Sequence, residues 1–411
     1  MKKIKNSLSE IMTVAGVLLL LLYSSDPIMK GDASRYLHGS LIDPPMYSLI
    51  ISIIQSLFDT LNSVIIFQTF LIALGVIYFT RSVSRIFDIN YIIKIIISFF
   101  LLIPILKFYN YLLTEPISYA FSLLLFGSVI NLIYNFNNRN LFWSIGFVIA
   151  LLLTRNQFII LYPVIFLLYL GIFILNKSKK TLVMLIISFL SIFIIHNSLI
   201  SLNKYIKQNT LESKTSLNKK YGPFYFIYID SIYISSVNDA KLFENQNEQN
   251  ILKKIFWKMN DQKALVEYYN GRGHYGLSFN SIRNYADDLI ESLADQENTT
   301  VGDIQKKIST KLIKANFKKY IKHIFKKFYD STWLFIFVPF AMLMAALTNF
   351  IKYKSQLNLV VLFLSLFTLA NHSIIYIFGR VQPRYLIYSD FILLAFIFIL
   401  FSTFLQKKNK I

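Results

Sequence analysis

The sequence predicts an all-helical polytopic membrane protein of about ten transmembrane helices, and three observations carry that prediction. Of the 411 residues, 55% are hydrophobic and 16% aromatic, and long runs of Leu, Ile and Phe recur between short polar connections. Short basic clusters fall at alternate connections, as membrane insertion imposes on cytoplasmic loops. One stretch alone, residues 201–330, is polar enough for a sizeable water-exposed region. The formal charge of +20 would suggest nucleic acid in a soluble chain; no nucleic-acid motif accompanies it, and membrane topology accounts for it. The absence of cysteine excludes disulfides, thiol nucleophiles and Cys-ligated metal.

Spans are expected at 10–23, 61–80, 91–106, 116–134, 141–153, 157–175, 181–200, 331–350, 357–378 and 385–405. Lys2, Lys3 and Lys5 precede an apolar run without a small-x-small cleavage site, so residues 10–23 read as an uncleaved first helix. With these lysines in the cytoplasm, alternation also puts Arg81, Arg85, Arg139, Lys177, Lys179, Lys180, Lys352, Lys354, Lys407, Lys408 and Lys410 there. Both termini are then cytoplasmic, and the abundance of Lys, Asn and Ile suggests an AT-rich bacterial genome, so the expected location is a bacterial inner (plasma) membrane. A span over 44–58 would throw Arg81 and Arg85 to the outside, so that segment is expected to be an interfacial helix. Residues 141–175 as one helix would reach about 52 Å at 1.5 Å per residue, overshooting the hydrocarbon core. The run must fold back at its one polar interruption, Thr154-Arg155-Asn156-Gln157.

Three segments follow: an N-terminal membrane module over 1–200 with seven spans and interfacial helices at about 32–58, an extracytoplasmic helical region over 201–330, and a C-terminal membrane module over 331–411. In the middle segment, Ile304, Ile308, Leu312, Phe317, Ile321, Ile324 and Phe328 recur at helical spacing among nine lysines from Lys306 to Lys327. This predicts a basic amphipathic helix on the membrane; a solvated lysine face is the plainer alternative. The aromatic run Tyr221 to Tyr233 fits a small packed core, with sugar stacking as the other reading.

Acidic residues outside 201–330 are few, and Asp26, Asp32, Asp43, Asp59 and Glu115 all map to outer connections beside Lys30, Arg35, Lys107, Arg155, Arg380 and Arg384. Asn156, Gln157, His196, Asn197, Asn371 and His372 also sit toward the outer ends of their spans. Acid and base meeting on one face suggest a site there. Asp32 can cap a short helix or act as general base on an acceptor hydroxyl. Glu115, ahead of Pro116, suits a helix start and equally a functional pair. Arg155 lies between apolar hairpin arms and needs an anionic partner, either a phosphate or Glu115. Arg380 and Arg384 share one turn, where planar guanidinium groups suit phosphate oxygens and snorkelling is the bland alternative. His38 stands alone, and no His/Asp cluster has metal-ligand spacing.

In order along the chain, Asp32-Ala33-Ser34-Arg35-Tyr36, Asp43-Pro44-Pro45-Met46-Tyr47, Thr114-Glu115-Pro116, Leu153-Thr154-Arg155 and Arg384-Tyr385 resemble landmarks of the GT-C superfamily of membrane glycosyltransferases, in the branch of protein O-mannosyltransferases and aminoarabinose transferases. The resemblance covers the membrane segments and leaves 201–330 aside. It implies inverting sugar transfer from a polyprenyl-phosphate carrier to a hydroxyl of a lipid, glycan or protein on the extracytoplasmic face. Asp32 would be the base, Glu115 would orient the acceptor or hold Arg155, and Arg155, Arg384 and Arg380 would hold the leaving phosphate. Arg35, Tyr36, Tyr47 and Tyr385 would line the substrate site. No cofactor is indicated. The family uses a divalent cation in some members, but Gly31-Asp32-Ala33 lacks the adjacent second acid, which argues against tight metal binding. A polysaccharide polymerase would share the outer arginines without needing Asp32. A lipid-linked glycan flippase would be expected to place ionisable residues at the bilayer midplane, where few occur.

Overall fold

The computed structural model describes residues 8, 10–17, 26–29, 33–38, 43–87, 89–106, 108–210, 224–265, 274–378 and 385–408. Asp32, Arg380 and Arg384 lie outside the described residues, as do 18–23 of the first expected span, of which 10–17 are helical. All regular structure among the described residues is helical, apart from one bridge between Ile28 and Tyr111. The chain divides into two compact units. One comprises Met1–Thr210, Phe337–His372 and Gln382–Ile411, the other Leu211–Ile336 and Ser373–Val381.

Wholly or mostly in the first unit, helices over Leu61–Phe87, Thr114–Tyr134, Asn156–Asn176, Lys179–Lys207, Ile336–Tyr353 and Gln356–Ile377 are long and apolar enough to cross a bilayer. The chain is therefore a multi-pass membrane protein. Apolar helices at Tyr91–Ile105, Asn138–Leu152 and Tyr388–Phe404 match expected spans but are shorter. The first of these tightens into a 3-10 turn at Ile103–Ile105, where Pro104 has no N–H to continue the α-helical ladder. Pro45–Phe58 is a separate 14-residue helix, roughly 21 Å long and too short to span hydrocarbon. It buries Tyr47, Ile51 and Ile54 while Leu49, Ile53, Leu57 and Phe58 stay exposed, leaving an apolar outer face that can meet lipid at an interface.

Thr114–Tyr134 is apolar around its circumference and buried on nearly every side, so it forms the axis of this unit. The helix Leu61–Phe87 lies against it at close range because Gly75 presents no side chain. A Cβ there would stand 2.9 Å from the Ala120 carbonyl oxygen, and backbone cannot move aside. The 141–175 run folds back as expected: one helix ends at Leu152, Arg155 is extended at φ −151° and ψ 140°, and a 3-10 turn over Asn156–Ile160 leads into Leu161–Asn176.

In the second unit, Tyr225–Tyr233, Gln246–Asp261, His274–Gln296 and Val301–Ala315 enclose a core of residues such as Ile229, Phe256, Ile290 and Ile308. The aromatic segment contributes Tyr225, Tyr228 and Tyr233 to that interior. The basic run from 304 to 328 differs from the single amphipathic helix expected. It breaks at Asn316, and Ile304, Ile308 and Leu312 turn into this core, while Phe317 and Phe325 on the following helix are exposed. The cause is the opposing apolar faces of the preceding helices, which sequence spacing alone does not reveal. Buried Asp230 accepts from Lys327 Nζ at 2.9 Å and meets His323 Nε2 at 3.2 Å, so one lysine of the run neutralises an interior carboxylate.

Gly75→Ala should destabilise the purified protein by about 1–3 kcal/mol through overpacking. Gly146→Ala, on a helix face where an added Cβ meets nothing within 4 Å, should leave stability unchanged or raise it by up to about 1 kcal/mol. Thermal unfolding in detergent checks both, and equal effects would contradict the packing account.

Candidate functional site

The site forms where four connections of the first unit meet. Glu115 occupies the first turn of Thr114–Tyr134, where the helix dipole favours a carboxylate, and its side chain is only 2% exposed. Arg155 reaches it from the hairpin turn, with Nη1 3.2 Å from Glu115 Oε1. The same Nη1 donates to the Tyr388 hydroxyl at 2.8 Å, and the guanidinium carbon lies 4.5 Å from the centre of the Tyr385 ring. Nε and Nη2 of Arg155 have no hydrogen-bond partner among the described residues. Burial by itself would lower the Arg155 pKa. Tyr388, Glu115, Tyr385 and Tyr36 outweigh it, so the group is held above the ordinary arginine value and stays cationic.

The hairpin turn also anchors the interfacial helix. Pro45 has no N–H to leave unsatisfied at the first helical position, and the Met46 N–H, an orphan donor of that first turn, bonds the Leu153 carbonyl at 2.9 Å. This places Tyr47 in the interior, where it donates to Gln68 Oε1 at 3.4 Å. Burial, then the neighbouring Tyr36 and Glu115, push the Tyr47 hydroxyl well above its usual pKa, so it remains a donor. Gln68 in turn holds the loop before Glu115, donating to the carbonyls of Tyr109 and Tyr111. Tyr36 stands edge-on to Tyr47 with ring centres 5.2 Å apart. Beside it, Arg35 Nη2 donates to Asp43 Oδ1 at 3.1 Å, and Nε lies 3.1 Å from Oδ2 as a close ion contact. Gln157 bonds Asn371 at 3.2 Å and Asn371 donates to the Tyr385 carbonyl at 3.2 Å, fastening the last helix to the turn.

Glu115, Arg155, Tyr36, Tyr47 and Tyr385 are thus brought into one neighbourhood, with the Arg35–Asp43 pair attached. Asp32 lies outside the described residues but adjoins the helix Ala33–His38 that carries Arg35 and Tyr36, and Arg384 directly precedes Tyr385 in the chain. Two members were missed by sequence reasoning. Gln68 had a usable signal, an amide well inside a mostly apolar span, while Tyr388 was one more aromatic residue in an aromatic-rich chain. Among the described residues, no group of three or more His, Asp or Glu stands close enough to hold a metal ion.

No family model matches the sequence, and no curated protein does. Among solved structures, the chain is similar to ArnT from Cupriavidus metallidurans in the apo state, with 12% sequence identity, 90% of this chain and 77% of that chain covered, and a TM-score of 0.34. At that score the chemistry of the site is read from its own geometry alone.

Removing one partner of the buried pair strands the other charge. Glu115→Leu or Arg155→Met alone should each cost about 3–5 kcal/mol, and the double variant clearly less than their sum. A double-mutant cycle by denaturation in detergent measures the coupling; additivity within about 0.5 kcal/mol would mean that the pair contributes nothing jointly.

Proposed function

We propose that this protein is a GT-C-type glycosyltransferase that moves a sugar from a polyprenyl-phosphate-linked donor to a hydroxyl on a lipid, glycan or protein. In this reading it works at the extracytoplasmic face of a bacterial plasma membrane, with both termini in the cytoplasm. The observation that supports it most is Arg155, a guanidinium placed at a turn between apolar helices. Its Nη1 is fastened by Glu115 and Tyr388, and Nε and Nη2 remain to meet phosphate oxygens. A fixed cation is most effective where negative charge develops as a bond breaks in a water-poor setting.

The proposed step is a single displacement. Asp32 takes the proton of the acceptor hydroxyl, whose oxygen bonds to the anomeric carbon of the sugar. The bond from that carbon to the carrier phosphate oxygen breaks, and the phosphate leaves with the electron pair. Arg155 and Arg384, joined by Arg380 from the same connection as Arg384, stabilise the charge that appears there. Glu115 keeps Arg155 oriented, and Tyr36, Tyr47, Tyr385 and Arg35 shape the donor and acceptor subsites. The orderly recurrence of five family-like motifs along the chain, each of which contributes a residue to this neighbourhood, supports the reading.

With purified protein and a polyprenyl-phosphate sugar, Asp32→Asn should lower transfer by about 10²–10⁴-fold. Arg155→Lys, which keeps the charge but loses the planar fork, should lower it by about 10²-fold or more. Near-normal transfer by Asp32→Asn would remove that residue as the base. An unchanged dependence of rate on donor in Arg155→Lys would remove the phosphate role.

A further inference from the structure

A cavity of about 600 Å³ opens in the first unit at the other end of the helices that carry the Glu115–Arg155 site. Along Leu61–Phe87, Arg81 lies 13 residues beyond Gln68, roughly 20 Å away. Along Thr114–Tyr134, Asn131 lies 16 residues beyond Glu115, roughly 24 Å away. Three guanidinium groups, Arg81, Arg85 and Arg139, line this cavity. Arg81 is held by Glu10 through Nε and Nη2. Arg85 and Arg139 are exposed and have no carboxylate partner among the described residues.

The wall between them is ordered rather than incidental. Asn131 Nδ2 donates to Ser82 Oγ at 2.9 Å and to the Tyr78 hydroxyl at 3.3 Å. Asn140 Nδ2 donates to the Asn135 carbonyl at 2.7 Å, and Asn137 caps the helix that starts at Asn138, with its side chain accepting from the Asn140 N–H at 2.9 Å. The positive end of that 15-residue helix adds to the field of the arginines. At the rim, Trp143 is 44% exposed and stacks on Phe147, an amphipathic ring of the kind found at bilayer interfaces.

Membrane topology explains positive charge at this end, but it does not explain the choice of residue. The chain has 33 lysines and nine arginines, and the other basic residues assigned by alternation to the same face, from Lys177 to Lys410, are all lysine. Lysine satisfies the insertion bias as well as arginine does. A planar fork is needed where phosphate oxygens are to be gripped in two-pronged fashion. We infer that this cavity is a second anion site, distinct from the Glu115–Arg155 site, that binds a phosphate-bearing group through Arg85 and Arg139 with Arg81 in support. The inference is independent of glycosyl transfer.

The full-length protein is tested with two probes. Native mass spectrometry counts phosphatidylglycerol retained from mixed phosphatidylglycerol–phosphatidylcholine micelles, and isothermal titration in phosphatidylcholine nanodiscs measures inorganic phosphate. Arg85→Gln/Arg139→Gln should weaken one or both by about tenfold or more. Lys177→Gln/Lys179→Gln/Lys180→Gln, which removes more charge outside the cavity, should leave both within about twofold. Arg85→Lys/Arg139→Lys keeps the charge and should fall between. Arginine-dependent retention of the lipid alone identifies a head group as the ligand source, and arginine-dependent binding of phosphate alone identifies a soluble one. If neither probe depends on the arginines, or if the lysine variant loses as much as the arginine variant, the site does not exist.

Discussion

A charged pair inside an apolar helix bundle constrains everything near it, because neither group can be moved without exposing the other to a medium that solvates it poorly. Glu115 and Arg155 form that pair here. Glu115 is fixed by its place in the first turn of the most buried helix, so Arg155 must reach that level, and the hairpin that carries it must turn there. The turn then offers its Leu153 carbonyl to the interfacial helix through Met46, and Gln157 and Asn371 bind the start of the last helix. Four connections far apart in the chain are thereby drawn to one location by a single ion pair and the hydrogen bonds around it.

The second unit uses the same device for a different end. Asp230, with Lys327 and His323 against it, is a buried carboxylate neutralised in place, and Tyr225 donates to buried Asp287 at 3.0 Å. These pairs sit within a closely packed aromatic and aliphatic core. Around Arg155, by contrast, Nε and Nη2 have no partner among the described residues, and these are the donors that the proposed phosphate contact would use. The arginine-lined cavity at the far end of Leu61–Phe87 has that same quality, with polar side chains held in position and cationic groups left facing open space.

Close contact sets the spacing of the two central helices in the first unit. Gly75 lets Leu61–Phe87 approach Thr114–Tyr134 near mid-length, and Gln68 on one side and Arg81 on the other are thereby set at opposite ends of the same packed pair. The distance between the two charged regions is therefore a property of helix rise and packing, not of loops.

What the sequence determined by itself was set by solvent preference and chain length. Apolar runs of span length, the interfacial helix expected at 44–58 and the reversal at Arg155 all follow from what a bilayer can accommodate, and each is legible without knowing any neighbour. Glu115 and Arg155 were legible as candidates because charge is rare in such segments. Their mutual contact, the pairing of Arg35 with Asp43, and the parts of Gln68 and Tyr388 were decided only by tertiary structure. So was the inward turn of Ile304, Ile308 and Leu312, whose helical spacing is the same whether the face meets lipid or protein. Periodicity states that a face must be covered; only packing states by what.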